Sequence, residues 1–190
     1  MRQWPTEVFS DCAPDNFLRP ECRQAPDYTP DSVLSAIAVI PPAILAFSRM
    51  TREFTTYSAE ETIALGRELA SLLTPPKLVV LRGDLGAGKT TLVKGIAEGF
   101  QAASEEDVTS PTFTLIHEYR GPSATIYHID LYRVDTQREL ETLGLDDLIS
   151  ESSVLLIEWG EKSPRFERER DIEIALERIS EHERRIRVVE

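Results

Sequence analysis

The sequence predicts a three-layer α/β domain whose sheet mixes parallel and antiparallel strands. Three observations carry that expectation. A short, β-branched apolar run, Leu78-Val79-Val80-Leu81, leads directly into a glycine-rich loop and then into apolar residues at helical spacing. A second apolar run, Val154-Leu155-Leu156-Ile157, has the length of one buried strand. Two further pairs of alternating or apolar segments, 113–119 with 124–130 and 172–176 with 186–189, read as antiparallel hairpins.

Residues 1–49 stand apart from the rest of the chain. They hold Pro5, Pro14, Pro20, Pro26, Pro30, Pro41 and Pro42, lack sustained periodicity, and read as a poorly ordered extension ahead of a domain at 50–190. Met50-Thr51-Arg52-Glu53-Phe54 resembles a natural beginning, so a misassigned start is one account of the extension and a docking arm is another. Deleting residues 1–49 is therefore expected to leave nucleotide affinity and melting temperature nearly unchanged. A large loss of either, by calorimetry or thermal melting, would place the segment inside the folded domain.

Ser58 and Glu61 make a capping-box pattern ahead of a helix with Ile63, Leu65, Leu69, Leu72 and Leu73 on one face, ended by Pro75-Pro76. The strand at 78–81 and a helix over 91–99, with Gly99 as its stop, flank the loop. The polar, proline-containing stretch 108–114 breaks helical spacing, and Arg120-Gly121-Pro122-Ser123 is a turn between two strands. Gln137 to Leu148 reads as a helix broken near Gly144. No internal repeat is present.

The loop itself is Gly83-Asp84-Leu85-Gly86-Ala87-Gly88-Lys89-Thr90, a complete G-x-x-x-x-G-K-[ST] pattern in a strand–loop–helix context. Its glycines let backbone N–H groups approach phosphate oxygens, and the helix after it adds partial positive charge at the same point. These residues, with Thr91, are the expected nucleotide-binding set of a three-layer P-loop NTPase fold. Lys89 would reach the terminal phosphates, and the Thr90 hydroxyl would ligate Mg2+.

Such a loop needs a carboxylate at the tip of a neighbouring strand. Asp130, ending Thr125-Ile126-Tyr127-His128-Ile129, and Glu158, ending the 154–157 run, are the candidates. An acid at the end of a buried apolar strand is costly unless it ligates or is hydrogen-bonded, so Glu158 reads as a metal-proximal group or one that positions the attacking water. The expected catalytic set is thus Lys89, Asp130 and Glu158, and the expected metal set Thr90, Asp130 and Glu158. His128 reads as a satisfied supporting histidine rather than a catalytic one. Trp159 is either packing or a contact surface. Thr109-Ser110-Pro111-Thr112 offers three hydroxyls and reads as a plain connection or as a switch ordered by a γ-phosphate.

Composition narrows the partners. The net charge is -12 and the sequence pI about 4.8, which disfavours tight, direct nucleic-acid binding. The densest basic stretch, 165–170, is interleaved with acids. The only cysteines, Cys12 and Cys22, make no metal pattern, and the body needs no oxidising compartment. The apolar run 33–47 is too short to span a bilayer and is broken by Pro41-Pro42. A cytoplasmic enzyme without a membrane partner is the expectation.

Four motifs in order, Gly83 to Leu92, Thr109-Ser110-Pro111-Thr112-Phe113, His128-Ile129-Asp130-Leu131-Tyr132-Arg133, and Ile157-Glu158-Trp159 with Glu161, resemble the TsaE family over residues 50–190. The first motif is generic, and the ordered set is specific. The resemblance implies a mixed-sheet ATPase, with ATP and Mg2+ as cofactors, in bacterial tRNA threonylcarbamoyladenosine biosynthesis. It implies TsaB and the transferase TsaD as partners, tRNA met only through that complex, and modification of the adenosine next to the anticodon in tRNAs that read codons starting with A. By motif, Lys89 and Thr90 hold phosphate and magnesium, 109–112 forms a switch-like loop, Asp130 and Glu158 surround the metal, and Trp159 belongs with Glu158. The extension at 1–49 departs from the family pattern. A small-molecule kinase and a non-hydrolysing nucleotide-gated interaction module share the loop and stand as alternatives. A GTPase is disfavoured, because no Asn-Lys-x-Asp motif occurs.

Overall fold

The structure is a computed structural model and describes residues 50–190; the expectation for residues 1–49 lies outside the described residues. Seven strands form one sheet in the order β1-β7-β6-β2-β5-β4-β3. They are β1 (Thr51–Thr56), β2 (Lys77–Arg82), β3 (Ile116–Arg120), β4 (Thr125–Asp130), β5 (Ser153–Glu158), β6 (Ile172–Arg178) and β7 (Arg184–Val189). The centre is parallel, β2 pairing with β5 and β6, and β4 with β5. The edges are antiparallel: β3 on β4, β7 on β6, and β1 on β7. The mixed sheet is as the sequence predicts.

Strand alternation sorts the core into two layers. Val79, Leu81, Ile126, Val154 and Leu156 face one side, where they pack with Leu65 and Leu69 of α1 (Ala59–Ala70) and with Leu92, Val93 and Ile96 of α2 (Lys89–Gly99). The alternate residues Leu78, Val80, Ile129, Leu155 and Ile157 face the other side. There they meet Leu140 of α3 (Gln137–Thr142), Leu145 of a 3-10 turn, and Phe166 of α4 (Pro164–Glu169). With both faces covered, the central strands read as continuous apolar runs, and only their polar ends remain for chemistry.

Helices α1 and α2 approach to backbone contact at Gly66 and Gly95. A Cβ on Gly66 would stand 2.5 Å from the Leu92 carbonyl oxygen, and one on Gly95 would collide with the Ile63 carbonyl. Because α2 opens on the phosphate loop, this contact sets the loop's height above the sheet. Gly95→Ala is expected to overpack the contact and destabilise the domain by about 1–3 kcal/mol, read as a melting-temperature drop of several degrees. An unchanged melting temperature would show that the helices can separate freely.

Ser58 caps α1, its Oγ accepting from the Glu61 amide at 3.1 Å, while the Glu61 carboxylate accepts from the Tyr57 amide rather than from Ser58 itself. Two expectations need correction, and a third is met. The strand expected over 113–119 begins at Ile116, because Leu115 adopts φ 65 and closes a turn with its amide on the Pro111 carbonyl. The helix expected over 137–148 with a break near Gly144 does break there: α3 ends at Thr142, and Gly144 at φ 62 leads into a 3-10 turn over Leu145–Leu148. The segment 51–56, read only as a chain start, is edge strand β1.

Candidate active site

The loop from Gly83 to Gly88 joins the C-terminal end of β2 to the start of α2. Gly83, Gly86 and Gly88 take φ values of 142, 78 and 104, which side-chain-bearing residues rarely adopt. Gly88 has no side chain to cap α2, and that leaves the helix N-terminus open toward the loop.

Alternation places the chemistry. Asp130 and Glu158 are in register on the parallel pair β4–β5. Both follow the parity of Ile126 and Leu156, so both belong to the sheet face covered by α2, where Lys89 and Thr90 begin the helix. The geometry bears this out. Thr90 donates from Oγ1 to Glu158 Oε1 at 2.9 Å. Lys89 Nζ stands 4.0 Å from Glu158 Oε2 and donates to the carbonyls of Gly83 (2.7 Å) and Asp84 (3.1 Å). Asp130 Oδ2 accepts from Ser110 Oγ at 3.0 Å and Thr112 Oγ1 at 2.8 Å, and its Oδ1 accepts from the Tyr132 amide at 2.9 Å. The 109–112 segment is thereby tied to Asp130, a pairing not expected from the sequence.

Lys89, Asp130 and Glu158 are only 5%, 3% and 4% exposed. Burial lowers the Lys89 ammonium pKa below its ordinary 10.5, and the carboxylates of Glu158, Asp130, Glu161 and Asp84 oppose that shift. Trp159 sits at φ 63, held there by a hydrogen bond from its backbone N–H to the Leu81 carbonyl oxygen (3.3 Å) and by Tyr132, whose ring lies 5.2 Å from its own. From that position its ring meets Lys89 Nζ at 4.3 Å, a cation–π contact. Trp159 is thus both packing and part of the site.

These groups open on a cavity of about 590 Å³, large enough for a nucleotide. Leu85, Gly86, Gly88, Lys89, Thr90 and Thr91 line it, together with Asp130 and Glu158; Gly83, Asp84 and Ala87 shape the loop from behind. No site role is expected from the sequence for Tyr132, Ala59, Thr62, Glu181, His182 or Arg184, yet they line the same cavity. Tyr132 had a local signal, lying two residues after Asp130. The 181–184 turn had none, because it arrives only through the β6–β7 pairing. Among the described residues, no cluster of three or more His, Cys, Asp or Glu side chains makes an all-protein metal cage. Magnesium in phosphate sites uses one or two carboxylates with phosphate oxygens and water, so the donors here fit it: the Thr90 hydroxyl and the acids at one end of the cavity.

The family model described as Threonylcarbamoyl adenosine biosynthesis protein TsaE matches residues 56–186. The chain belongs to the TsaE family. The TsaE protein of Bacillus subtilis strain 168 is 38% identical over 134 residues, covering 70% of this chain and 82% of that protein. The TsaE protein of Aquifex aeolicus is 36% identical over 139 residues, covering 73% of this chain and 96% of that protein. Among solved structures, the crystal structure of Bacillus subtilis YdiB matches with a TM-score of 0.57 and 34% identity, covering 74% of this chain and 86% of that one. The names of the TsaE relatives tie the family to tRNA threonylcarbamoyladenosine biosynthesis, and the YdiB match supports the P-loop NTPase-like fold.

Proposed function

We propose that this TsaE-family chain is a Mg2+-dependent ATPase. ATP hydrolysis drives its work with a TsaB–TsaD type pair in threonylcarbamoyl modification of the adenosine beside the tRNA anticodon. The observation that supports this most is the convergence of Lys89, Thr90, Asp130 and Glu158 at the mouth of an open helix N-terminus, on a cavity of nucleotide size. The net charge of -12 favours meeting tRNA through the partners rather than directly. No helix among the described residues is long and apolar enough to cross a membrane; the cytoplasm is the proposed compartment.

The chain's own groups divide the work. Backbone amides of 86–90 and the α2 N-terminus receive the phosphates. Lys89 exchanges the Gly83 and Asp84 carbonyls for phosphate oxygens, which relieves its buried charge. Thr90 and Asp130 would hold Mg2+ with Glu158 close beside it, and the ion's charge would offset that developing on the phosphoryl oxygens. Glu158 accepts two hydrogen bonds at Oε1, from Thr90 and His128, so Oε2 is the oxygen left to orient an attacking water.

The test is phosphate release from ATP by the full chain, with and without the purified partner pair. Magnesium-dependent turnover that rises with the pair is expected. Binding without turnover in any combination would favour the interaction module, and transfer of phosphate to a small molecule would favour the kinase.

A further inference from the structure

We infer that His128 is a positioning residue: its Nε2–H holds the Glu158 carboxylate in place, so that Oε2 remains directed at the reacting end of the cavity. The inference rests on the ATP-hydrolysing reading of the site and adds a residue to it.

Three observations carry it. His128 is fully buried, at 0% exposure, and its Nε2 lies 2.8 Å from Glu158 Oε1. A carboxylate accepts only, so this contact requires the proton on Nε2. The other ring nitrogen, Nδ1, is buried with no hydrogen-bond partner among the described residues. Finally, the parity of β4 puts His128 between Ile126 and Asp130 on the face packed under α2, a row otherwise filled by apolar side chains until the strand ends.

A histidine chosen for packing alone is a poor fit to that position. It leaves Nδ1 desolvated and unpaired, at a cost of about 1–3 kcal/mol, where a ring of similar volume without nitrogen would have none. What the imidazole supplies and phenylalanine cannot is the Nε2–H. Thr90 and His128 both donate to the same oxygen, Oε1, and approach it from different elements, α2 and β4. Two donors on one oxygen restrict rotation about the last side-chain bond of Glu158 and leave Oε2 with Lys89 as its nearest charged neighbour. Thr90 alone would be a single tether, on a residue that must also serve the metal. His128 therefore lets Thr90 meet the cation without releasing Glu158.

The test uses three substitutions in the full chain. In His128→Gln the side-chain amide nitrogen is as many bonds from Cβ as Nε2 and can reach Glu158. In His128→Asn the amide stops at the position of Nδ1 and cannot. His128→Phe keeps the ring volume and has no donor. Partner-stimulated turnover is expected to fall about 10- to 100-fold in the Asn and Phe variants, as when a supporting hydrogen-bond partner is removed from a metal site. KM for ATP should be little changed, and His128→Gln should recover most of the rate. A packing role predicts the opposite order, with Phe at or near wild type and Gln no better than Asn; that result overturns the inference.

Nitrogen-15 NMR of the imidazoles supplies a readout that needs neither turnover nor a folded variant at position 128. The spectrum should show one histidine as a fixed Nε2–H tautomer, displaced by Glu158→Ala, which removes the acceptor, and unmoved by changes at the exposed His182. A tautomer protonated on Nδ1, or indifference to Glu158→Ala, refutes the contact. Absence of turnover in the wild-type chain with its partners counts against the ATPase reading instead, and the imidazole spectrum still decides whether His128 holds Glu158.

Discussion

Replacing Lys89 by alanine is expected to abolish ATP turnover while the domain stays folded. Lys89 is the only cation in the 83–90 loop, and its ammonium is buried beside Glu158 with the Trp159 ring at 4.3 Å. No other side chain of the loop can balance the charge on the terminal phosphates. Loss of one preorganised donor at such a centre lowers kcat by about 100- to 1000-fold, and affinity for ATP should fall with it, since the same group binds the ground state. The fold has little to lose. The partners of Lys89 are two loop carbonyls, and Glu158 keeps Thr90 and His128 after the substitution.

Stability should move in the other direction. The folded-state pKa of Lys89 lies below its ordinary 10.5, chiefly through burial, so folding disfavours the ammonium form. For a base with a depressed pKa, that opposition is fully present below the folded pKa and fades as pH rises through the interval up to the unfolded value. At neutral pH the Lys89→Ala variant should therefore melt no lower than the wild type. Steady-state hydrolysis, calorimetric ATP binding and a thermal melt at pH 7 check the three parts. Wild-type turnover in the variant would end the phosphate-loop assignment. A collapse of the melt would show Lys89 to be structural.

How much was legible in the sequence depends on how local each signal is. The phosphate loop is contiguous, its glycines are required by left-handed backbone angles, and its flanking strand and helix carry their own periodicities. Asp130 and Glu158 were legible because each ends a segment that reads as a strand, and strand alternation then places both on the side of α2. The β6–β7 hairpin was legible as two alternating segments, but its consequence was not. Nothing near residue 182 says that the turn returns to the cavity, because that is decided by the pairing of β6 with β2. Strand β1 was missed because its residues alternate only weakly in polarity and it holds its place as an edge strand through β7. Helix α4 was missed for a similar reason. It is short and charged, one buried phenylalanine fixes it to the core, and its acid Glu167 binds Arg82 and Arg170 in an ion-pair network shared with Glu173. That network ties the end of β2 to α4 and β6 just before the loop begins. No sequence pattern announces it, since its members span residues 82 to 173.

The two acids should separate when each is neutralised at nearly constant size. Asp130 accepts from Ser110, Thr112 and the Tyr132 amide, so it anchors the 109–112 segment as well as facing the magnesium end of the cavity. In Asp130→Asn one oxygen becomes a donor, and the negative charge is gone. Magnesium-dependent nucleotide binding is expected to weaken about 10- to 100-fold, and raising Mg2+ should recover part of the loss, because the remaining donors still select the ion. Glu158 is arranged differently. Its Oε1 is held by Thr90 and His128, and Glu158→Gln can keep both bonds by placing its amide oxygen there. What changes is the atom at Oε2, which turns from an acceptor into a donor beside Lys89 and can no longer take a hydrogen from water. The Gln variant is therefore expected to bind ATP as the wild type does and to lose turnover about 100- to 10,000-fold, the range for a positioned base. Added Mg2+ should not restore it, since the defect is not in occupancy. Magnesium titrations of ATP binding and of partner-stimulated hydrolysis distinguish these outcomes. Rescue of both variants by Mg2+ would assign both acids to the metal alone. Wild-type rates in both would remove the two carboxylates from the reaction despite their register on β4 and β5.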